Sequence, residues 1–309
     1  MRIVFAGTTP NAVSVLRYLV EVAKHDVLAV LTREDALVGR KQSLTPSVVA
    51  EYALSKNLNV IKANKVDAVV DEQLVALKPE LGVVVAYGAL LRPRILEIPA
   101  HGWINIHFSL LPKLRGAAPV QWALINGNTE TGVTIFQLEQ GMDTGPVHSQ
   151  VQTVIEPTET AGDLLVRLTN ISITMLDECL AKISSATAVP MAQTGEATLA
   201  PKLSRLEARV DFSKSASEIE NLIRGCNPEP VAWAEFDGEP FRILSARASV
   251  QSSVNPVDAD AGKVSAVDGK IYVQTGKGVL QLLEVQPASK RAMPASDWYR
   301  GISPGARLS

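Results

Sequence analysis

Short apolar runs alternate with stretches of helical periodicity through the first half of the chain. Ile3 to Ala6, Val27 to Leu31 and Val83 to Ala86 read as buried parallel strands. Between them, helical patterns cover Ala12–Ala23, Ser47–Ser55 and Ala68–Leu77. This alternation predicts a doubly wound, Rossmann-like α/β sheet. Trp103 to His107 reads as a further strand, followed by a helix over 119–126 with Pro119 near its start and Gly127 just past its end. Val133–Leu138 and Val147–Ile155 then read as two strands, and Ala161–Ser184 as a long closing helix.

From Ala186 to Pro201 the periodicity fades, and Pro190, Gly195 and Pro201 punctuate the stretch. Beyond it come a short helix at Ser217–Arg224 and five strand patterns, at Val231–Phe236, Phe241–Ala246, Gly262–Val267, Lys270–Thr275 and Val279–Val285. Asp237-Gly238 and Asp268-Gly269 supply hairpin turns. Five short strands of this kind predict a small C-terminal β-barrel of the oligonucleotide-binding type. The expected organisation is a first domain over 1–188, a linker over 189–203 and a barrel over 204–309.

With 309 residues and 46% hydrophobic content, two cores are within reach. The net charge of -2 announces no nucleic-acid partner, and the segments say the same: beyond Pro201 there are 14 basic and 13 acidic residues, before it 16 and 19. Cys179 and Cys226 lack metal-ligand spacing and are too few for a disulfide framework. No metal site is expected. The chain enters its first strand without a signal-peptide pattern, and no run reaches the roughly 18 apolar residues of a membrane span. A cytoplasmic, monomeric protein with no membrane association is the expectation.

Candidate chemistry changes this picture. Side chains two apart on a strand share a face, so Asn105 and His107 point together, opposite Ile104 and Ile106. An amide and an imidazole at the end of a buried strand can manage charge on a reacting carbonyl. Spacing alone leaves open a pair that is merely solvated. Asp143 lies between Gly141 and Gly145, where a turn residue is equally natural. The opening Val4-Phe5-Ala6-Gly7 lacks the repeated glycines of a dinucleotide fingerprint, which argues against a nicotinamide cofactor.

The longer string resolves these alternatives. Asn105-Ile106-His107 is followed by Ser109-Leu110-Leu111-Pro112 and Gly116-Ala117-Ala118-Pro119, with Thr131-Gly132-Val133-Thr134 and Gly141-Met142-Asp143-Thr144-Gly145-Pro146 as a second block. The two blocks resemble the signature of the folate-dependent formyltransferases, and the likeness is fullest to the branch acting on initiator methionyl-tRNA. The resemblance implies 10-formyltetrahydrofolate as donor, initiator methionyl-tRNA as acceptor and partner, and Asn105, His107 and Asp143 as the catalytic trio. It places the folate at Ser109, Leu110, Leu111 and Pro112, a turn whose backbone groups and leucine faces suit a pterin. Tyr87 and Gly88, after a buried strand, are weaker cofactor candidates at the strand ends where open α/β sheets bind ligands. It also places Arg40 and Lys41, in a long loop, toward the tRNA acceptor end.

Several positions depart from the family pattern. Ala36 stands where a second arginine is usual, Leu37 for a proline, Asn11 for a phenylalanine and Phe108 for a small residue. The loop changes alter what is available for RNA contact. Formyltransferases of sugar amines or glycinamide nucleotides, and a formyltetrahydrofolate hydrolase, share the trio but are expected to need neither the barrel nor the Arg40 loop. A non-catalytic RNA-binding protein is the rival of another class, and it would have no use for the trio.

Overall fold

A computed structural model describes residues 1–39, 42–249, 261–303 and 305–309. Arg40 and Lys41 lie outside the described residues. In chain order the first elements are β1 (Arg2–Gly7), α1 (Pro10–Arg17, continued by a π-helical turn at Tyr18–Val22), β2 (Asp26–Thr32), β3 (Ala36–Val38), β4 (Ser43–Thr45), α2 (Val48–Ser55), β5 (Val60–Lys62) and α3 (Ala68–Leu77). There follow β6 (Leu81–Val85), α4 (Pro93–Leu96), β7 (Trp103–His107), α5 (Pro119–Ile125), β8 (Glu130–Gln137), β9 (Val147–Val154) and α6 (Ala161–Ser184). The remainder is α7 (Ala216–Gly225), β10 (Trp233–Phe236), β11 (Glu239–Ser249), β12 (Val264–Val267), β13 (Lys270–Gln274), β14 (Val279–Pro287), β15 (Met293–Pro294) and α8 (Ala295–Tyr299).

The first seven-stranded sheet has the order β5-β2-β1-β6-β7-β8-β9. The five strands β5, β2, β1, β6 and β7 are parallel, and β8 joins antiparallel to β7. Strand order runs outward in both directions from β1 and β6, which makes the sheet doubly wound. Both faces of the centre are covered. Ile3, Val4, Phe5 and Ala6 are all fully buried, with Val4, Ala6, Val70, Leu74, Ile95 and Trp103 in one cluster on one face. That two-sided burial is why β1 and β6 read as continuous apolar runs rather than alternating ones. The three-residue β5 carries too short a signal to stand out in the sequence. The same holds for the short strands β3 and β4, which pair antiparallel within the stretch read as a long loop and expose Leu37 and Leu44.

The second sheet is antiparallel, in the order β10-β11-β14-β13-β12, with β15 beside β14. Its outer strands are joined by the C-terminal segment. Val264 N donates to Ala306 O at 2.9 Å, and Leu308 N to Gly262 O at 2.9 Å, while Ser309 and Glu235 exchange two backbone bonds at 2.7 and 3.0 Å. These bonds bridge the two outer strands, as closure of the sheet into a barrel requires. The hairpins between β10 and β11 and between β12 and β13 turn through Asp237-Gly238 and Asp268-Gly269, all four with positive φ, as two-residue type I′ turns require. Helix α7 opens with a reciprocal capping box between Ser215 and Glu218. Phe236, Phe241 and Trp298 form an aromatic cluster within the barrel core.

By contacts the chain divides into two units, Met1–Pro119 with Thr131–Thr153 and Leu165–Pro201, and Val120–Glu130 with Val154–Leu164 and Lys202–Ser309. Helix α5 and the start of α6 therefore group with the barrel. Ile125 packs on the barrel core, Gly162 N donates to Asn227 O at 3.0 Å, and Arg224 Nη1 donates to Glu159 O at 3.2 Å. Residues 191–200 group with the first unit and are hydrogen-bonded along its loops, where the sequence reads as a linker.

Candidate functional site

Asn105 and His107 lie on the C-terminal half of β7, beside β6 on one side and β8 on the other. Val84 and Phe136 flank Asn105, and Thr134 flanks His107. Ile104 and Ile106 are buried on the opposite face. His107 is itself buried, 5% exposed, and meets Phe136 edge-on with centroids 6.4 Å apart.

The imidazole has one committed nitrogen. Nε2 is 2.9 Å from Leu114 O. A carbonyl only accepts, so Nε2 carries the proton and Nδ1 presents a lone pair in the neutral ring. Burial pushes the ring below its ordinary value of 6.5, partly opposed by the Asp143 charge and then by the Leu114 bond. The neutral tautomer with a basic Nδ1 is thus the favoured form. Nδ1 faces Asp143 Oδ2 at 3.8 Å, beyond a direct hydrogen bond but within reach through one bridging donor.

Asp143 lies in the loop between β8 and β9 with φ +53°, in the left-handed region. Its Oδ2 accepts from Gly116 N at 2.8 Å. Asn105 Oδ1 is buried without a hydrogen-bond partner. A buried acceptor left unpaired costs about 1–3 kcal/mol, and such an atom in a site marks where a bound group completes the pairing. The fold brings the three residues to one place: β7 delivers Asn105 and His107, and the β8–β9 loop brings Asp143 to the 114–116 turn.

The Ser109–Pro112 turn is rigid and largely self-satisfied. Ser109 Oγ donates to Lys113 O at 2.6 Å, Thr134 Oγ1 donates to Ser109 O at 2.7 Å, and Leu111 N donates to Thr134 Oγ1 at 3.2 Å. Gln150 Nε2 donates to Leu111 O at 3.0 Å, and Lys113 N to Leu110 O at 3.0 Å. Most of the backbone groups expected to meet a pterin edge are therefore already engaged, while Leu110 remains partly exposed. Tyr87 also differs from expectation. Its side chain is 1% exposed in the core, its hydroxyl donates to Ala63 O at 2.7 Å, and burial raises the phenol to about 12. Only backbone remains to meet a ligand there, and the Gly88 carbonyl accepts from Arg33 Nη1 at 3.1 Å.

Sequence reasoning missed Gln150, Gln193 and Thr198, polar residues with no motif around them. Leu114 N donates to Thr198 Oγ1 at 2.9 Å, and Gln193 reaches the backbone of the Asp143 loop. Thr134 was visible only as the last residue of the Thr131–Thr134 segment of the second signature block. No group of three or more His, Cys, Asp or Glu residues able to hold a metal occurs among the described residues. Among the same residues, no helix is long and apolar enough to cross a membrane.

Comparisons with known proteins bear on both units. The family model described as formyl transferase matches residues 1–180, and that of the formyl transferase C-terminal domain matches residues 202–303. A methionyl-tRNA formyltransferase of Leifsonia xyli subsp. xyli is 45% identical over 309 residues, covering 100% of each chain. One from Renibacterium salmoninarum is 44% identical, covering 98% of this chain and 97% of that protein. Among solved structures, the N-formyltransferase from Helicobacter canadensis in complex with folinic acid and dTDP-3-aminofucose aligns with a TM-score of 0.69 at 20% identity, covering 92% of this chain and 98% of that one. At that identity the likeness speaks for the fold alone. It also removes one expected distinction: a sugar-amine enzyme shares the fold over nearly its full length, so possession of the second unit does not separate acceptors.

Proposed function

The chain belongs to the formyl transferase family, and from that premise we propose that it moves the formyl group of 10-formyltetrahydrofolate to the α-amino group of methionine on initiator methionyl-tRNA. The observation that carries this reading is the 45% identity, end to end, with a relative named for that reaction. The reaction would take place in the cytoplasm, on a monomeric chain, in support of translation initiation.

Formyl transfer is acyl transfer. The amine lone pair forms a new C–N bond at the formyl carbon, and the carbonyl pair moves onto oxygen. Collapse restores the carbonyl and breaks the bond to the folate nitrogen, which takes a proton. Asn105 is assigned to stabilise the oxyanion through its amide N–H, the donor end, while its unpaired Oδ1 can only accept and suits an N–H of the attacking amine. His107 Nδ1 is the one ring nitrogen free to accept the proton lost by the amine, because Nε2 is held by Leu114. Asp143, 3.8 Å from Nδ1, stabilises the imidazolium and can share a bridging ammonium or water proton. No covalent enzyme intermediate is needed.

The donor would lie against the Ser109–Pro112 turn and the backbone at Gly88. The orphaned Asn105 oxygen and the partly exposed Leu110 suit a ligand with both polar edge and apolar face. Arg40 and Lys41 are assigned from sequence to the tRNA. With Ala36 in place of a second arginine, Arg40→Ala should weaken use of methionyl-tRNA and lower its salt slope by about one unit, with folate affinity unchanged.

The test is a radiolabelled-formyl assay offering methionyl-tRNA, free methionine and glycinamide ribonucleotide side by side. Transfer to methionyl-tRNA alone supports the reading. Preferential transfer to either small amine rejects it.

A further inference from the structure

Residues 191–200, which the sequence presents as a connector, run as a strap over both loops that frame His107. Met191 and Val147 exchange two backbone bonds at 2.7 and 2.9 Å. Arg115 N donates to Thr198 O at 2.8 Å, and Ala200 N returns to Arg115 O at 2.7 Å. Between these anchors, the single amide of Gln193 makes three bonds. Its Nε2 donates to Asp143 O at 2.8 Å and Gly145 O at 2.9 Å, and its Oε1 accepts from Arg115 Nη2 at 2.6 Å.

We propose that Gln193 is a positioning residue for Asp143, bracketing the 143–145 backbone so that the carboxylate is held at its working distance from His107. The inference rests on the formyl-transfer reading above. Its physical basis is the conformation of the loop. Asp143 occupies left-handed backbone, φ +53°, which aspartate adopts more readily than most side chains but still at some cost in strain. Two carbonyls of this loop take both N–H groups of one side chain, and that side chain is tied through Arg115 to the turn whose Leu114 carbonyl orients His107. One residue thus links the placement of the base to that of the carboxylate. The gap it sets, 3.8 Å, is one where a shift of about 1 Å separates a bridgeable pair from an uncoupled one. Misplacement on that scale costs on the order of 10²-fold in rate.

Gln193→Glu isolates the effect. It keeps length and the acceptor for Arg115 but removes both donated bonds and sets a carboxylate oxygen against two carbonyls. Gln193→Met keeps the volume and removes all three bonds without adding charge, so it carries the comparison if the first variant does not fold. The wild-type chain is assayed first, and whichever acceptor it formylates is used for the variants. An error in the acceptor assignment is then distinct from an error about Gln193.

For folded variants with wild-type melting temperature, kcat should fall roughly 10- to 100-fold, with KM for both substrates within about twofold. In an Asp143→Asn background, Gln193→Glu should give no further loss, because the two act through one group. Wild-type kcat in both variants would overturn the assignment. So would losses that multiply fully in the Asp143→Asn background, since Gln193 would then act independently of the carboxylate.

Discussion

The turns of the barrel and the loops around His107 both pass through left-handed backbone, but they hold it by different means. In the barrel, Asp237-Gly238 and Asp268-Gly269 have φ of 52°, 79°, 50° and 73°, and each pair is framed by the ladder of its own hairpin. At the candidate site, Leu114 and Asp143 have φ of 60° and 53°. They are restrained by Thr198 and Gln193, residues 84 and 50 positions away. A hairpin turn is a local property of two residues. A site loop holding a carboxylate opposite an imidazole needs distant side chains, and its geometry is only as firm as that bracing.

The sharpest contrast comes from removing core against removing chemistry. Phe241 is fully buried in the barrel, 4.5 Å from the Trp298 ring centroid. Phe241→Ala should cost about 3–5 kcal/mol, read from denaturant unfolding. Asn105→Ala, His107→Ala and Asp143→Ala should leave the fold in place and each lower turnover on the order of 10²-fold or more. Wild-type turnover in any folded one of these would remove that residue from the mechanism.

Two glycines sharpen the comparison further. Gly238 faces open space where a Cβ would go. Gly238→Ala should cost about 1–2 kcal/mol for its left-handed backbone and leave turnover alone. Gly116, φ +121°, would place a Cβ 2.7 Å from Ala200 O, and its N–H holds Asp143. Gly116→Ala should therefore push the strap away, losing turnover as well as stability. Equal responses in melting temperature and kcat from the two variants would break the distinction between local and distant bracing.

The smallest effect is in pH dependence. Burial holds His107 below 6.5, so a base role places the acid limb of kcat/KM below 6.5. The Asp143 charge raises that ring, so Asp143→Asn should shift the residual acid limb to lower pH. The linked stability has the same sign. A histidine depressed on folding binds fewer protons than when unfolded, so stability is lost as pH falls from 6.5 toward the folded value. A limb that moves upward in Asp143→Asn would contradict the assigned pairing.

Much of this was legible in the residues. Continuous apolar runs marked β1, β2 and β6 because both faces of a parallel sheet are buried, and Asp-Gly pairs marked the hairpins because few residues tolerate their backbone. The face shared by Asn105 and His107 followed from strand periodicity, and the two-block signature tied Asp143 to them. Other features lay beyond any local pattern. Tyr87 turns into the core, the Ser109–Pro112 backbone is engaged by Thr134 and Gln150, α5 groups with the barrel, and residues 191–200 are hydrogen-bonded to the loops around the site. Each of these depends on hydrogen bonds or packing between residues far apart in the chain. Periodicity and turn chemistry report what a residue does to its own backbone, whereas these partners were chosen by folding.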